Sequence, residues 1–169
     1  FKIFKNSMIN DKNIVLVESH YRSRSWYLAL KNSGLTHIIS VMPEEYKRFV
    51  KDGFESKNIL NLFFNQRIKL RTDFEHYKDL NFFESKLNIK LNKIVNTDRT
   101  LRRKSKKYIE QYLLFLFNNI YHFFKKIKPK IIILEPTWTH ELLICKFSNF
   151  FKFKIVSPVK DKILPDRLF

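Results

Sequence analysis

Glycine is almost missing from this chain. Only Gly34 and Gly53 occur in 169 residues, and no G-x-G-x-x-G or Walker-type run can be assembled from them. A phosphate-cradling loop of the glycine-rich kind is therefore excluded, because that loop needs the backbone to approach the anion without a Cβ in the way. Cysteine is equally scarce: Cys145 stands alone, so neither a disulfide framework nor a thiolate zinc site can form, and a reducing setting is expected. No histidine has a partner at metal-ligand spacing, since His20, His37, His76, His122 and His140 are scattered, and no metal is expected. The longest apolar run, Tyr112 to Phe124, is interrupted by Asn118, Asn119 and His122 and is too short to span a bilayer. There is no secretory leader pattern, no internal repeat and no flexible linker. The chain starts on Phe1 and stops at Phe169 without a closing element, which we read as the signature of a piece of a longer protein.

Acidic residues are outnumbered, 33 Lys+Arg against 16 Asp+Glu, and the formal charge of +17 favours anionic partners such as phosphosugars, acidic lipid or nucleic acid. The lysines are spread along the chain among Asn, Ile and Phe, a pattern that a biased source composition would also produce. Hydrophobic residues make up 44%, enough for a real core in a chain of this length.

The apolar segments alternate between two kinds. Asn13 to Glu18, Thr36 to Met42, Asn58 to Phe64, Lys130 to Leu134 and Lys154 to Ser157 read as short strands buried on both faces. Between them fall helical stretches: about His20 to Ser33 with Ser19 as cap and Gly34 at its end, Pro43 to Gly53, Ser105 to Lys128, and Thr137 to Lys152. The third of these carries Ile109, Leu113, Leu116, Phe117, Ile120, Phe124 and Ile127 at three- and four-residue steps, and Pro129 ends it. Residues 65–100 are less regular; Asp73 to Lys86 is expected to be helical and Leu87 to Val95 to form an edge strand. This alternation predicts one α/β domain, a Rossmann-like, doubly wound, mostly parallel sheet.

In such a sheet the strand-to-helix turns open along one edge, where ligands bind. Those turns hold Arg22 and Arg24, then Pro43-Glu44-Glu45, then Glu135 to Glu141, then Pro158 to Arg167. Arg22 and Arg24 would oppose the dipole of the helix they begin, a cost that a bound phosphate or carboxylate would offset, or that pairing with Glu18 would relieve. Glu135 is suited to act as a base, to accept sugar hydroxyls or to cap a helix; His140 to move a proton or to lie satisfied on the surface; Trp138 to stack on a sugar ring or to fill the core. Asp98 to Lys107 carries six basic residues, Arg99, Arg102, Arg103, Lys104, Lys106 and Lys107, at or before the long helix; they form either a solvated face or an anion platform.

Four segments in this order, Tyr21-Arg22-Ser23-Arg24-x-Trp26, Thr97-Asp98-Arg99-x-Leu101, Glu135-x-Thr137-Trp138-x-His140-Glu141-Leu142-Leu143 and Ile163-x-Pro165-x-Arg167-x-Phe169, resemble bacterial capsular polysaccharide biosynthesis proteins, which are glycosyltransferase-like and of GT-B architecture. The resemblance implies an amino-terminal Rossmann-like half, transfer of sugar from a nucleotide-sugar to a glycan or lipid-linked acceptor, and no further cofactor. It implies a cytoplasmic location with attachment at the inner membrane face, and no activity in the isolated chain. The matched positions are Arg22, Arg24, Asp98, Arg99, Glu135, Trp138, His140, Glu141 and Arg167, to which the resemblance assigns no individual roles; from the residues themselves, Glu135 or His140 is the expected catalytic base and the others are expected to meet substrate. The competing expectation is a non-catalytic basic module for nucleic acid or membrane; nucleic acid is disfavoured because no RNA-binding or helix-turn-helix signature accompanies the charge.

Overall fold

Five short aliphatic runs line up side by side in a computed structural model that describes residues 13–18, 23–64 and 79–157. They are β1 (Ile14–Val17), β2 (Leu35–Ser40), β3 (Ile59–Asn61), β4 (Ile131–Ile133) and β5 (Lys154–Val156), and every pairing between them is parallel. Their order across the sheet is β3-β2-β1-β4-β5. The chain thus builds outward from β1 in one direction, then returns to add β4 on its other side, making β1/β4 the point where the winding reverses.

Side chains alternate between the faces, as strand geometry requires. Val15, Val17, Ile39, Ile132 and Leu134 face one way, where α3 (Leu80–Leu87), α4 (Leu91–Thr97), α5 (Lys106–Ile127) and α6 (Thr139–Phe151) cover them. Leu16, Ile38, Ile59 and Ile133 face the other way, against Tyr27 of α1 (Ser23–Leu30) and Phe49 of α2 (Pro43–Lys51). Helices on both faces make the sheet doubly wound, as expected from sequence. The larger core is aromatic: Phe83 stacks on Phe117 with centroids 4.5 Å apart, and Phe124 meets Phe147, Phe151 and Phe153 edge-on. Each such ring removed from water contributes about 2 kcal/mol.

Helix ends follow local chemistry. Ser105 Oγ accepts the Tyr108 N–H at the start of α5, and Lys128 closes the helix in the left-handed region before Pro129. Asn13 Nδ2 donates to the terminal carbonyl of Ile127, tying the end of α5 to the beginning of β1. Gly34, at φ 88°, turns the chain from α1 into β2. A Cβ there would meet Ile14 Cδ1 at an ordinary 3.8 Å, so Gly34→Ala should cost only the backbone strain, about 1 kcal/mol in urea denaturation.

The expected strand from Asn58 to Phe64 is limited to Ile59–Asn61, and three further sequence expectations are corrected. Leu87 to Val95 is not an edge strand. Asn88 closes α3 at φ 51°, and the Glu84 carboxylate takes the Leu91 N–H at 2.7 Å. The chain then enters α4, which buries Leu91, Ile94 and Val95. That i, i+3, i+4 spacing is helical, and two consecutive buried residues cannot share one face of a strand. Second, β2 stops at Ser40 rather than Met42, because the Val41 and Met42 N–H groups turn to the Glu18 carboxylate instead of a neighbouring strand. Third, α1 spans Ser23–Leu30, shorter than the expected stretch to Ser33, since residues 31–34 form the turn into β2. The expected cap Ser19 and residues 73–78 of the helix expected over Asp73 to Lys86 lie outside the described residues, and the stretch from Leu80 onward is helical, in α3.

Candidate functional site

The carboxyl ends of four parallel strands converge on one cleft of about 290 Å³. Glu18 enters it directly after β1, Val41 and Met42 after β2, Leu62 and Phe64 after β3, and Trp138 and His140 after β4. The remaining side comes from the approach to α5 and its first turns: Asp98, Thr100, Leu101, Lys104, Tyr108 and Tyr112. Phe64 stands edge-on to Tyr108 and Tyr112 at 5.4 and 5.3 Å, so one wall is aromatic. Lys104 Nζ lies 5.5 Å from the Tyr108 ring at the rim.

Asp98 organises this arrangement. Its Oδ1 accepts the N–H groups of Thr100 and Leu101, both at 2.9 Å, and the Thr100 hydroxyl at 2.7 Å. Its Oδ2 accepts the Thr139 hydroxyl at 2.6 Å and the Thr139 N–H at 3.3 Å. One carboxylate therefore closes the turn before α5 and caps the first turn of α6 from 41 positions upstream. Burial works to raise its pKa, but the hydrogen bonds from Thr139, Leu101 and Thr100 prevail and hold it at about 2. With both oxygens so engaged, Asp98 serves as a clamp on the positions of Trp138 and His140 rather than as an open hand for substrate.

Glu141 completes the cap of α6. Its Oε2 accepts the N–H groups of Thr137 and Trp138 at 2.8 and 2.9 Å, while Oε1 is buried with no hydrogen-bond partner among the described residues. Burial, opposed by those two bonds and assisted by the nearby Glu135 charge, pushes its pKa up to about 7. Two acids thus serve one helix terminus and are shifted in opposite directions.

Of the residues singled out from sequence, Asp98, Trp138 and His140 come together in the cleft. His140 is 5% exposed, in the first turn of α6. Glu135 is half-buried and is not part of the lining, and Glu141 lies behind it, turned onto the backbone. Arg99 is exposed on the surface beside the turn. Arg24 belongs to the first turn of α1, while Arg22 and Arg167 lie outside the described residues. In the basic segment Arg102, Arg103, Lys106 and Lys107 are exposed, and Lys104 is the one that lines the cleft.

Sequence reasoning considered Glu18 only as an ion-pair partner for Arg22 or Arg24, not as a cleft residue. It is 1% exposed, and its Oε2 accepts the Ser40 hydroxyl at 2.6 Å and the N–H groups of Val41 and Met42 at 2.9 and 3.3 Å. Its Oε1 has no hydrogen-bond partner among the described residues. Burial raises its pKa, against the bonds from Ser40, Val41 and Met42. The available signal was its position: a carboxylate ending the central strand of a parallel sheet. The aromatic wall was also missed, because Tyr108 and Tyr112 look like part of an ordinary helical stripe.

Among the described residues no group of three or more His, Cys, Asp or Glu could hold a metal ion. No helix among them is long and apolar enough to cross a membrane. Comparison with family models, with curated proteins and with solved structures gives no match to this chain.

Proposed function

We propose that this chain is the amino-terminal, Rossmann-like half of a GT-B glycosyltransferase-like protein of capsular or other surface polysaccharide synthesis, and that its cleft receives a sugar. One observation carries the reading: a cleft at the winding reversal of a parallel sheet combines flat aromatic walls, an imidazole, a buried carboxylate and a lysine rim. Aromatic faces suit the apolar side of a sugar ring, and the polar groups suit its hydroxyls. His140 is the base this half offers, taking the proton of an acceptor hydroxyl as the glycosyl bond forms. Glu135, outside the lining, supports it at most from a distance. Lys104 and the exposed cations around it would stabilise the departing nucleoside diphosphate.

The test is glycosyl transfer by the complete protein. His140→Ala should lower kcat by about 10²-fold or more, and Trp138→Ala should weaken sugar-nucleotide binding on the order of tenfold, about 1.4 kcal/mol, in calorimetry. Unchanged turnover in the first variant would remove the base assignment; unchanged binding in the second would remove the stacking face. The isolated 169-residue chain should give no transfer.

Attachment to an anionic membrane surface is compatible with this reading, and the exposed Arg99, Arg102, Arg103, Lys106 and Lys107 support it. A nucleic-acid module is less well supported. Phe83, Phe117, Phe124 and Phe147 are fully buried and so offer no stacking platform for bases.

A further inference from the structure

We infer that Glu18 is the inner ligand contact of the cleft, its Oε1 taking a hydroxyl hydrogen, so that the deep end of the site accepts a neutral polyhydroxylated ring and the anionic part of a donor stays outward at Lys104. This rests on the reading of the cleft as a sugar site and names the group that recognises the sugar.

The geometry of the side chain carries the inference. Three donors, Ser40 Oγ and the N–H groups of Val41 and Met42, converge on Oε2, and they account for everything the fold needs from this residue. They satisfy the backbone where β2 ends. A single acceptor oxygen, such as an amide would supply, could do the same. The second oxygen is buried, meets no donor among the described residues, and belongs to a residue on the cleft lining. No described cation pairs with Glu18, and the charge that reaches it from across α2 is that of Glu45, which is repulsive. Holding such an oxygen out of water is unfavourable unless a donor arrives. A ligand hydroxyl is such a donor; a phosphate or a carboxylate is not. Glu141 has an equally dry oxygen but does not line the cleft, which separates a capping acid from a recognising one.

Glu18→Gln tests this with little change of shape. The three donors require an acceptor, so the amide oxygen must take the place of Oε2 and the NH₂ group must occupy that of Oε1. The variant keeps the end of β2 and reverses the polarity offered to the ligand. The wild-type chain, ¹³C-labelled, is titrated with a methyl hexoside, the matching methyl uronoside and uridine diphosphate, following the Glu18 carboxyl signal and Trp138 fluorescence. The expected result is movement of the Glu18 signal with the neutral hexoside and not with uridine diphosphate. The uronoside should bind more weakly than the hexoside, and hexoside affinity should fall about tenfold or more in Glu18→Gln with little change in Tm.

A quenched Trp138 with an unmoved Glu18 signal, or equal hexoside affinity in the variant, would overturn the role of Glu18 while leaving the sugar site standing. A responsive Glu18 in a full-length protein that transfers no sugar would overturn the transferase reading and leave this one. Silence of both probes toward every glycoside overturns both. Should Glu18→Gln fail to fold, the wild-type carboxyl titration decides alone.

Discussion

Asp98→Ala is expected to lower the stability of the chain by about 3–5 kcal/mol, since truncating a buried, fully hydrogen-bonded carboxylate strands its donors. The donors left behind are the N–H groups of Thr100, Leu101 and Thr139 and the hydroxyls of Thr100 and Thr139. Urea denaturation at pH 7 would measure the loss, and a penalty below about 1 kcal/mol, the worth of a single ordinary hydrogen bond, would contradict the clamp. The acid limb provides a second check. Asp98 titrates at about 2 in the folded chain against 3.8 ordinarily, so its stabilisation is present above pH 3.8 and is lost as pH falls through 2. After allowance for solvent screening that part is about 1–2 kcal/mol. Wild type should therefore lose stability over that interval in a way that Asp98→Ala does not.

Glu141→Gln should do the reverse. Glu141 is fully buried, and its pKa is raised from 4.5 to about 7. The folded state then binds the proton more tightly than the unfolded state. The stability Glu141 contributes is complete below pH 4.5 and is lost as pH rises through 7, up to about 3 kcal/mol in all. Glutamine keeps an acceptor for the Thr137 and Trp138 N–H groups and carries no charge to be desolvated. The variant should accordingly be more stable than wild type at pH 8, match it near pH 4.5, and show a shallower fall of Tm across the interval, the remainder coming from Glu18, whose pKa is also raised. A wild-type Tm that is itself flat between pH 4.5 and 7 would show that Glu141 ionises freely, and the cap would need another explanation.

Most of the architecture was legible because it is written in short-range patterns. Runs such as Ile131-Ile132-Ile133 can only be strands covered on both faces, and the stripe through Leu113, Leu116, Phe117, Ile120 and Phe124 can only be a core-facing helix. The segment from Leu87 to Val95 misled because a few alternating apolar residues satisfy both periods; what decides between them is the Glu84 bond to the Leu91 N–H, a contact between neighbours that hydropathy does not record. The site was half legible. Trp138 and His140 follow a strand with an obvious polar turn and were found. Glu18 was hidden because its partners, Ser40, Val41 and Met42, lie at the end of the next strand and just beyond it, and only the parallel register brings them to it. The internal hydrogen bonds of Asp98 were hidden for the same reason: its partner Thr139 is remote in sequence, and a saturated acid looks like an available one when only its neighbours are visible.

The central position of β1 also bears on how the chain is made. β1 pairs with β2 almost at once, but its other edge is completed by β4, and the neighbouring bond from Asn13 to Ile127 already spans 114 residues. At ribosomal speeds of about 5–20 residues per second, that edge stays open for on the order of ten seconds during synthesis. A nascent chain halted before Ile131 would present an unpaired aliphatic ribbon, a natural target for chaperones and a natural seed for aggregation.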